Sequence, residues 1–81
     1  MKESLESKKR LILNALLQGR TLTPKEADDL ADTTEGTRLI RKIREKYPVR
    51  SERVVGENYH LYWMDKDFLF EYWKPKSSLA I

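Results

Sequence analysis

Basic side chains are concentrated in one segment of this 81-residue chain, where they could bind the phosphates of a nucleic acid. Residues 34–53 contain seven of the 16 Lys and Arg residues but only three of the 13 Asp and Glu residues. The seven are Arg38, Arg41, Lys42, Arg44, Lys46, Arg50 and Arg53. Residues 1–33 are neutral overall and residues 54–81 carry a net charge of −1, so the formal net charge of +3 comes from one patch. Clustered cations of this kind attract polyanions.

The basic segment begins with a predicted helix that runs from Thr34 to Glu45 or Lys46. Three apolar residues fall within one sector about 100° wide, which predicts a buried ridge made of Leu39, Ile40 and Ile43. The opposite sector contains Thr34, Thr37, Arg38, Arg41 and Glu45, with Arg44 at its edge. This polar face is the one that such a helix would present to the major groove of DNA.

Two arginines and two threonines on this face carry groups that can read base pairs. Arg38 and Arg41 can each make bidentate hydrogen bonds to O6 and N7 of guanine. Thr34 and Thr37 can contact a thymine methyl group or a phosphate, and Thr34 lies where helix N–H groups attract phosphate. The predicted DNA-binding residues are Thr34, Thr37, Arg38, Arg41, Lys42, Arg44 and Arg53. The alternative interpretation is an ordinary surface helix whose charged face is only solvated.

Other basic residues lie outside the predicted helix. Arg50 and Arg53 are three residues apart on a predicted strand, so they cannot share one face of it. Arg53 is nearer the tip of the hairpin and is the better candidate for a phosphate contact. The run from Lys8 to Arg10 also suits phosphate contacts, although a solvated face is the simpler interpretation.

Two further helices are predicted to precede and position the basic helix. The first starts near Ser4 and ends at Gly19, and its apolar stripe consists of Leu5, Ile12, Leu13 and Leu16, with Leu17 at the flank. A short connector, residues 20–22, follows it with a little strand character. The second helix begins at Thr23-Pro24-Lys25-Glu26, where Thr23 and Glu26 form a capping box.

The second helix is short and is expected to pack against the third. Its small and apolar residues Ala27, Leu30 and Ala31 point inward, and Asp28 and Asp29 point outward. A third aspartate, Asp32, lies in the break before the next helix, and acidic side chains there favour solvent or the helix dipole. Gly36 permits a close approach of the third helix, either to the second helix or to a DNA backbone.

A hairpin and a short last helix complete the predicted domain. Strands are predicted over residues 49–55 and 59–64 around a turn at residues 56–58, and Asp65 caps a helix over residues 66–74. Seven of the eight aromatic residues occur from Tyr59 onward, in a region of net negative charge, so most are expected to complete a thin core. Phe70 and one tryptophan are expected to stay exposed, which makes Phe70 and Trp73 candidates for a homodimer contact.

The composition excludes several classes of function. The chain has no cysteine, and His60, expected on the wing surface, is the only histidine, so neither thiol chemistry nor a histidine metal site is predicted. No catalytic serine–histidine–carboxylate set, glycine-rich phosphate loop or metal-ligand spacing is recognisable, so we expect no enzyme and no cofactor. No apolar run approaches the ~20 residues that span a bilayer, and no signal-peptide pattern is present, which favours a cytoplasmic location with no membrane partner.

Residues 12–64 resemble a winged helix-turn-helix family that is common in phages and prophages. The resemblance is carried by the segments LLQGRTLTPKEADDL, TRLIRKIREKYPVRSE and YWM. It implies double-stranded DNA binding through Thr37, Arg38 and Arg41. Two features depart from the family pattern: the aromatic C-terminal helix, and the TTEG start of the third helix, where the family usually has an apolar residue or cysteine.

The sequence therefore predicts an α+β winged helix-turn-helix domain over residues 1–74, followed by a flexible tail over residues 75–81. It has three helices, a β-hairpin wing and a short C-terminal helix. The expected function is sequence-specific binding of double-stranded DNA as a small phage- or prophage-type transcriptional regulator, with the third helix in the major groove. Two alternatives stay open: a winged-helix module that binds a partner protein, and an excisionase-like architectural protein that bends DNA.

Overall fold

The computed structural model describes residues 5–74, which form an α+β arrangement of four helices and one two-stranded antiparallel hairpin. In chain order, the elements are α1 (Leu5–Leu17), α2 (Pro24–Ala31), α3 (Gly36–Arg44), β1 (Val49–Arg53), β2 (His60–Met64) and α4 (Lys66–Tyr72). This is the predicted order. The expected helix start near Ser4 and the flexible tail predicted for residues 75–81 lie outside the described residues.

The boundaries of α1 and α2 follow from local sequence signals. Gly19 has φ +88°, a conformation that costs glycine little and suits the end of a helix. The capping box at α2 is confirmed: the Thr23 hydroxyl accepts from the Glu26 N–H at 3.1 Å, and the Glu26 carboxylate accepts from the Thr23 N–H at 2.9 Å. Asp32 ends α2 in the left-handed region at φ 50°, which aspartate tolerates better than most residues.

The connector between α1 and α2 is attached to the hairpin. Leu22 and Tyr62 exchange both backbone hydrogen bonds, each 2.8 Å long, in an isolated antiparallel bridge. Leu22 is fully buried. The strand character expected for residues 20–22 is thus present at one residue, and it connects the helical half of the molecule to β2.

The core is aliphatic and lies between the three helices and the inner face of the hairpin. Its buried members are Ile12, Ala15, Leu16, Leu17, Leu22, Ala27, Ala31, Leu39, Ile40, Ile43, Val49 and Met64. Leu5 was predicted on the buried stripe but is exposed. The expectation that most aromatic rings complete the core was also wrong in part, because no aromatic side chain belongs to this buried set and only Tyr47, Tyr62 and Phe68 pack against it.

Helix α3 begins at Gly36, two residues later than predicted, because another helix caps it. The Asp28 carboxylate in α2 accepts the Gly36 N–H at 2.7 Å, so the prediction that Asp28 points to solvent was wrong. A Cβ atom at Gly36 would lie 2.9 Å from the Ala27 Cβ and from the Asp28 backbone nitrogen. Of the two approaches left open for this glycine, the structure contains the one to α2.

The hairpin is held in register by both its strands and its turn. Val49 pairs with Met64 and Arg53 with His60, and the turn is closed by the Val54 N–H donating to the Tyr59 carbonyl at 3.1 Å. The strands are shorter than predicted, since β1 ends at Arg53 and β2 begins at His60. The last helix, α4, ends at Tyr72, two residues before its predicted end.

Candidate nucleic-acid interface

The polar face of α3 lies opposite its buried ridge, as the sequence predicts. Leu39, Ile40 and Ile43 are buried in the core, whereas Arg38 and Arg41 are exposed. Thr37 is half-buried at the first turn. The structure therefore brings three of the predicted DNA-binding residues together on one solvent-facing surface.

The two arginines of this face differ in their partners. The Arg38 guanidinium contacts the Glu35 carboxylate one turn earlier, with Nη1 2.7 Å from Oε1. Arg41 has no ion pair with any residue from 5 to 74. Arg41 can thus bind a hydrogen-bond acceptor of a ligand without losing a protein contact. Arg38 must first break its contact with the Glu35 carboxylate.

Arg44 connects α3 to the hairpin. Its Nη2 lies 3.3 Å from the Ser51 hydroxyl of β1, so it occupies the corner between the helix and the strand. Because side chains two residues apart point to the same face of a strand, Arg53 shares the face of Ser51. The exposed residues Arg53, Arg44 and Arg41 therefore follow one another from the hairpin onto α3. His60, the partner of Arg53 in β2, is also exposed, as expected.

Arg50 belongs to the other face of β1 and is used within the fold. Its Nε and Nη2 both lie 2.9 Å from Oδ1 of Asp65, the residue that caps α4. The other Asp65 oxygen accepts the Phe68 N–H at 3.0 Å. This N–H first, and Arg50 second, hold the pKa of Asp65 below its ordinary value. The expected difference between Arg50 and Arg53 is present, because Arg53 has no ion pair within residues 5–74.

Thr34 does not lie where it was predicted. It precedes α3 and lines a surface cleft together with Asp28, Asp29, Asp32 and one cation, Lys8, so that acids outnumber cations three to one. The first N–H of α3 is occupied by Asp28 and is not free to attract a phosphate. Acidic surroundings repel phosphate, so the N-terminal end of α3 is a poor place for a DNA backbone.

Lys42 turns toward α1 and away from the hairpin. It lines a cleft with three other basic residues, Lys9, Arg10 and Lys46. The sequence favours a solvated face for the run from Lys8 to Arg10, with phosphate contacts as the alternative, and does not single out Lys46 as a DNA-binding residue. The structure divides that run, since the Lys8 ammonium donates to the Asp32 carbonyl at 3.1 Å. The i, i+4 spacing of Lys42 and Lys46 was the sequence signal for a shared helix edge.

Helix α4 has an exposed aromatic surface. Phe70 is 69% exposed and Trp73 is 59% exposed, as expected for these two residues. The Trp73 indole N–H also donates to the Leu17 carbonyl, so this ring connects α4 to the end of α1. Phe70 is the member of the pair whose side chain is available to a partner.

Within residues 5–74, no group of three histidine, aspartate or glutamate side chains is arranged to hold a metal ion. Over the same residues, no helix is long and apolar enough to cross a membrane. Comparison of the chain with protein-family models, with curated proteins and with solved structures found no match.

Proposed function

We propose that this chain is a winged helix-turn-helix domain that binds double-stranded DNA in a sequence-specific manner without catalysing a reaction. In this proposal it acts as a small phage- or prophage-type transcriptional regulator, with α3 in the major groove and the hairpin along the neighbouring backbone. The observation that carries the proposal is the row of exposed basic side chains Arg53, Arg44 and Arg41, which passes from the hairpin onto the polar face of α3.

The dimensions of α3 agree with this role. With its side chains an α-helix is about 10–12 Å in diameter, which fits the ~12 Å wide major groove of B-DNA, and the nine residues of α3 extend for about 14 Å along it. We assign the reading of a base edge to Arg41, because it is exposed at the middle of the polar face and has no ion pair in the described part of the chain. Arg38 reads a second position after leaving Glu35, and Thr37 contacts the groove wall at the first turn.

The charge distribution selects one orientation of the duplex. The hairpin side of α3 presents Arg44 and Arg53, whereas the N-terminal end of α3, where Asp28 of α2 binds Gly36, presents the three aspartates at positions 28, 29 and 32. Phosphates on the hairpin side gain charge-assisted contacts, and phosphates at the N-terminal end of α3 are repelled. We therefore assign the predicted phosphate contact to Arg53 and give Thr34 no part in the interface.

A domain of this size makes few base contacts, so we propose that it binds two half-sites as a homodimer. Half-sites of such dimers lie about 34–36 Å apart on the duplex. The dimer contact would use the exposed surface of α4, with Phe70 as the central side chain and Trp73 beside it. Sedimentation of the wild-type chain and of Phe70→Ser should show a dimer that the substitution converts to a monomer.

The function is tested by selecting bound sequences from a random pool of double-stranded DNA at two salt concentrations. We expect salt-sensitive binding and an enriched motif, with Arg41→Ala losing the enrichment while its folding stays intact by circular dichroism. Two-fold symmetry of the motif would support the dimer. Salt-sensitive binding without a motif would instead favour the architectural, DNA-bending role, and an absence of binding at low salt would overturn both DNA functions.

The exposure of Phe70 favours one candidate from a different class, a module that binds a partner protein through α4. Exposed aromatic surface on a small domain marks protein contacts more often than DNA contacts. The two functions respond oppositely to mutation. Under the protein-binding function, Phe70→Ser abolishes activity and Arg41→Ala is tolerated; under the DNA-binding function, Arg41→Ala removes specific binding even where Phe70→Ser leaves a DNA-binding monomer.

A further inference from the structure

A small basic cleft lies between α1 and the C-terminal end of α3, apart from the row of arginines described above. It encloses about 200 Å³ and is lined by Glu6, Lys9, Arg10, Leu13, Lys42, Ile43, Lys46 and Tyr47. Four of these side chains are cations and one is a carboxylate. The remaining three, Leu13, Ile43 and Tyr47, form the mainly apolar part of its wall.

The cations of the cleft are largely free to bind an external anion. Lys9 contacts Glu6, with Nζ 3.0 Å from Oε2, whereas Arg10, Lys42 and Lys46 have no ion pair with any described residue. The pKa of Glu6 is lowered by Lys9 foremost and also by Lys46 and Arg10. Side chains from α1 and from the turn that follows α3 therefore act on the same carboxylate, and the cleft has an excess of positive charge.

The size of the cleft limits what it can hold. Pockets for organic ligands enclose roughly 300–1,000 Å³, so about 200 Å³ suits a single oxyanion such as a phosphate group better than a nucleotide. Lysine and arginine are the side chains that bind phosphate, as a point charge and as a planar fork respectively. The chemistry and the size together indicate one phosphate group.

The position of the cleft relates it to α3 and the hairpin. Lys42 and Arg44 are two residues apart, so they project from α3 about 200° apart, on opposite sides of the helix. Arg44 reaches the hairpin and Lys42 lines the cleft, with Arg41 on the exposed arc between them. The cleft therefore lies on the flank of α3 opposite the hairpin. If α3 lay in the major groove with one DNA backbone along the hairpin, the backbone of the other strand would pass this flank.

We propose that this cleft binds a backbone phosphate of duplex DNA on the flank of α3 opposite the hairpin. Arg10, Lys42 and Lys46 bind the phosphate, and Glu6 opposes it. This inference rests on the proposed DNA-binding function and extends it, because it adds α1 to the interface. The duplex is then held at two backbones, by Arg53 on the hairpin and by the cleft on the other side.

The first test measures how affinity for a random-sequence duplex depends on salt. Each phosphate contact contributes about 0.9 to the slope of the logarithm of affinity against the logarithm of salt concentration. Lys46→Gln should reduce the slope of the wild-type chain by about that amount. Lys25→Gln removes the same charge from the exposed side of α2, where its only ion pair with a described residue is the long 3.9 Å contact with Asp29, and should leave the slope unchanged. Equal slopes for the two variants would overturn the assignment.

The second test uses a gain of affinity, which unfolding cannot imitate. Glu6→Gln removes the opposing charge and releases Lys9, so affinity for the same duplex should rise about two- to fivefold. Glu71→Gln makes the same charge change on α4 and serves as the matched control, because Glu71 points about 100° away from Phe70 and about 200° away from Trp73, off the proposed dimer contact. Equal affinity of the two variants would overturn the cleft assignment while leaving binding through α3 intact.

Two further outcomes distinguish a failure of the proposed DNA-binding function from a failure of the cleft assignment alone. If the wild-type chain shows no salt-dependent binding to the duplex, the proposed function and the cleft assignment both fall. A free phosphate shares the chemistry of a backbone phosphate, so inorganic phosphate is titrated without DNA while the amide signals of Arg10 and Lys46 are followed by NMR. Saturable micromolar binding together with an unchanged duplex slope in Lys46→Gln would assign the cleft to a free anion and overturn the proposal.

Discussion

The carboxylate of Asp28 in α2 accepts a hydrogen bond from the backbone N–H of Gly36, the first residue of α3, at 2.7 Å. Glu35 stands at the N-cap position, but its side chain makes no capping hydrogen bond and instead contacts Arg38. The start of α3 is therefore defined by a residue eight positions earlier in another helix. This contact fixes how α3 and its polar face are oriented relative to the rest of the domain.

Replacing Asp28 with alanine should lower the free energy of unfolding by about 0.5–2 kcal/mol, the usual effect of losing a helix N-cap. Urea denaturation of the purified chain measures it. Asp29→Ala is the control, because Asp29 is exposed and its contact with Lys25 is long, at 3.9 Å. Equal stability of Asp28→Ala and the wild type would show that the hydrogen bond to Gly36 contributes nothing.

Gly36→Ala should destabilise the domain by about 1–3 kcal/mol, even though alanine is the better helix former, because the added methyl group overpacks the contact with α2. The new Cβ would lie 2.5 Å from Oδ1 of Asp28 and 2.9 Å from the Ala27 Cβ. Thermal unfolding compared with Gly56→Ala separates crowding from backbone strain, since Gly56 has φ +84° and open space around it. A more stable Gly36→Ala variant would contradict the packing described here.

On a selected DNA site, Arg38→Ala and Arg41→Ala should each cost about 1–3 kcal/mol of binding free energy. The loss for Arg38 should fall in the lower part of that range, because the wild-type side chain must first leave Glu35. Titration of labelled duplex by fluorescence anisotropy gives both values, with Lys25→Ala on exposed α2 as a variant outside the interface. If both arginine variants bind the selected site like the wild type, α3 does not enter the groove.

Arg53→Ala should weaken binding to all sequences alike and flatten the salt dependence of affinity, as expected for a phosphate contact. Arg50→Ala should leave the salt dependence nearly unchanged, because Arg50 is already paired with Asp65 and lies on the other face of β1. Affinities measured on specific and random duplexes at several salt concentrations compare the two. A loss confined to one sequence in Arg53→Ala would contradict a phosphate contact.

The cap of α4 should make stability depend on pH in the acid range. Because the pKa of folded Asp65 lies below its ordinary value of 3.8, its ionised form stabilises the fold above that value, and this contribution disappears as pH falls through the folded pKa. Asp65→Asn keeps a capping side chain but loses the charge partner of Arg50. The difference in Tm between wild type and Asp65→Asn should be positive at pH 7 and vanish in strong acid. A constant difference across this range would exclude the ion pair as its source.

Features of the molecule that depend on neighbours in sequence were predictable. The capping box at Thr23 follows from a spacing of three residues, and the buried ridge of α3 follows from the helical repeat. The hairpin follows from an alternating segment, a glycine turn and a second strand. Each of these signals is contained within a few residues, so no knowledge of the fold is needed to read it.

Other features were not predictable because they join distant residues. The start of α3 depends on the hydrogen bond from Gly36 to Asp28. Arg50 is kept out of the basic row because it pairs with Asp65. The bridge between Leu22 and Tyr62 joins residues that are far apart in the sequence. The spacing of the aromatic residues in α4 is the same for a helix that packs on a core and for one that faces solvent. The sequence alone therefore could not show that Phe70 and Trp73 are exposed.

The element order, the basic charge of residues 34–53 and the apolar ridge of α3 all follow from the order of the amino acids. Whether each of those basic side chains has an ion-pair partner depends on the tertiary structure. Among residues 5–74, Arg41 and Arg53 have no ion pair, whereas Arg38 and Arg50 each contact a carboxylate. Lys42 and Lys46 line the same cleft beside α1. The reason is physical: charge is a property of each residue, whereas pairing depends on distances between side chains, which only the packing of the helices and the hairpin sets.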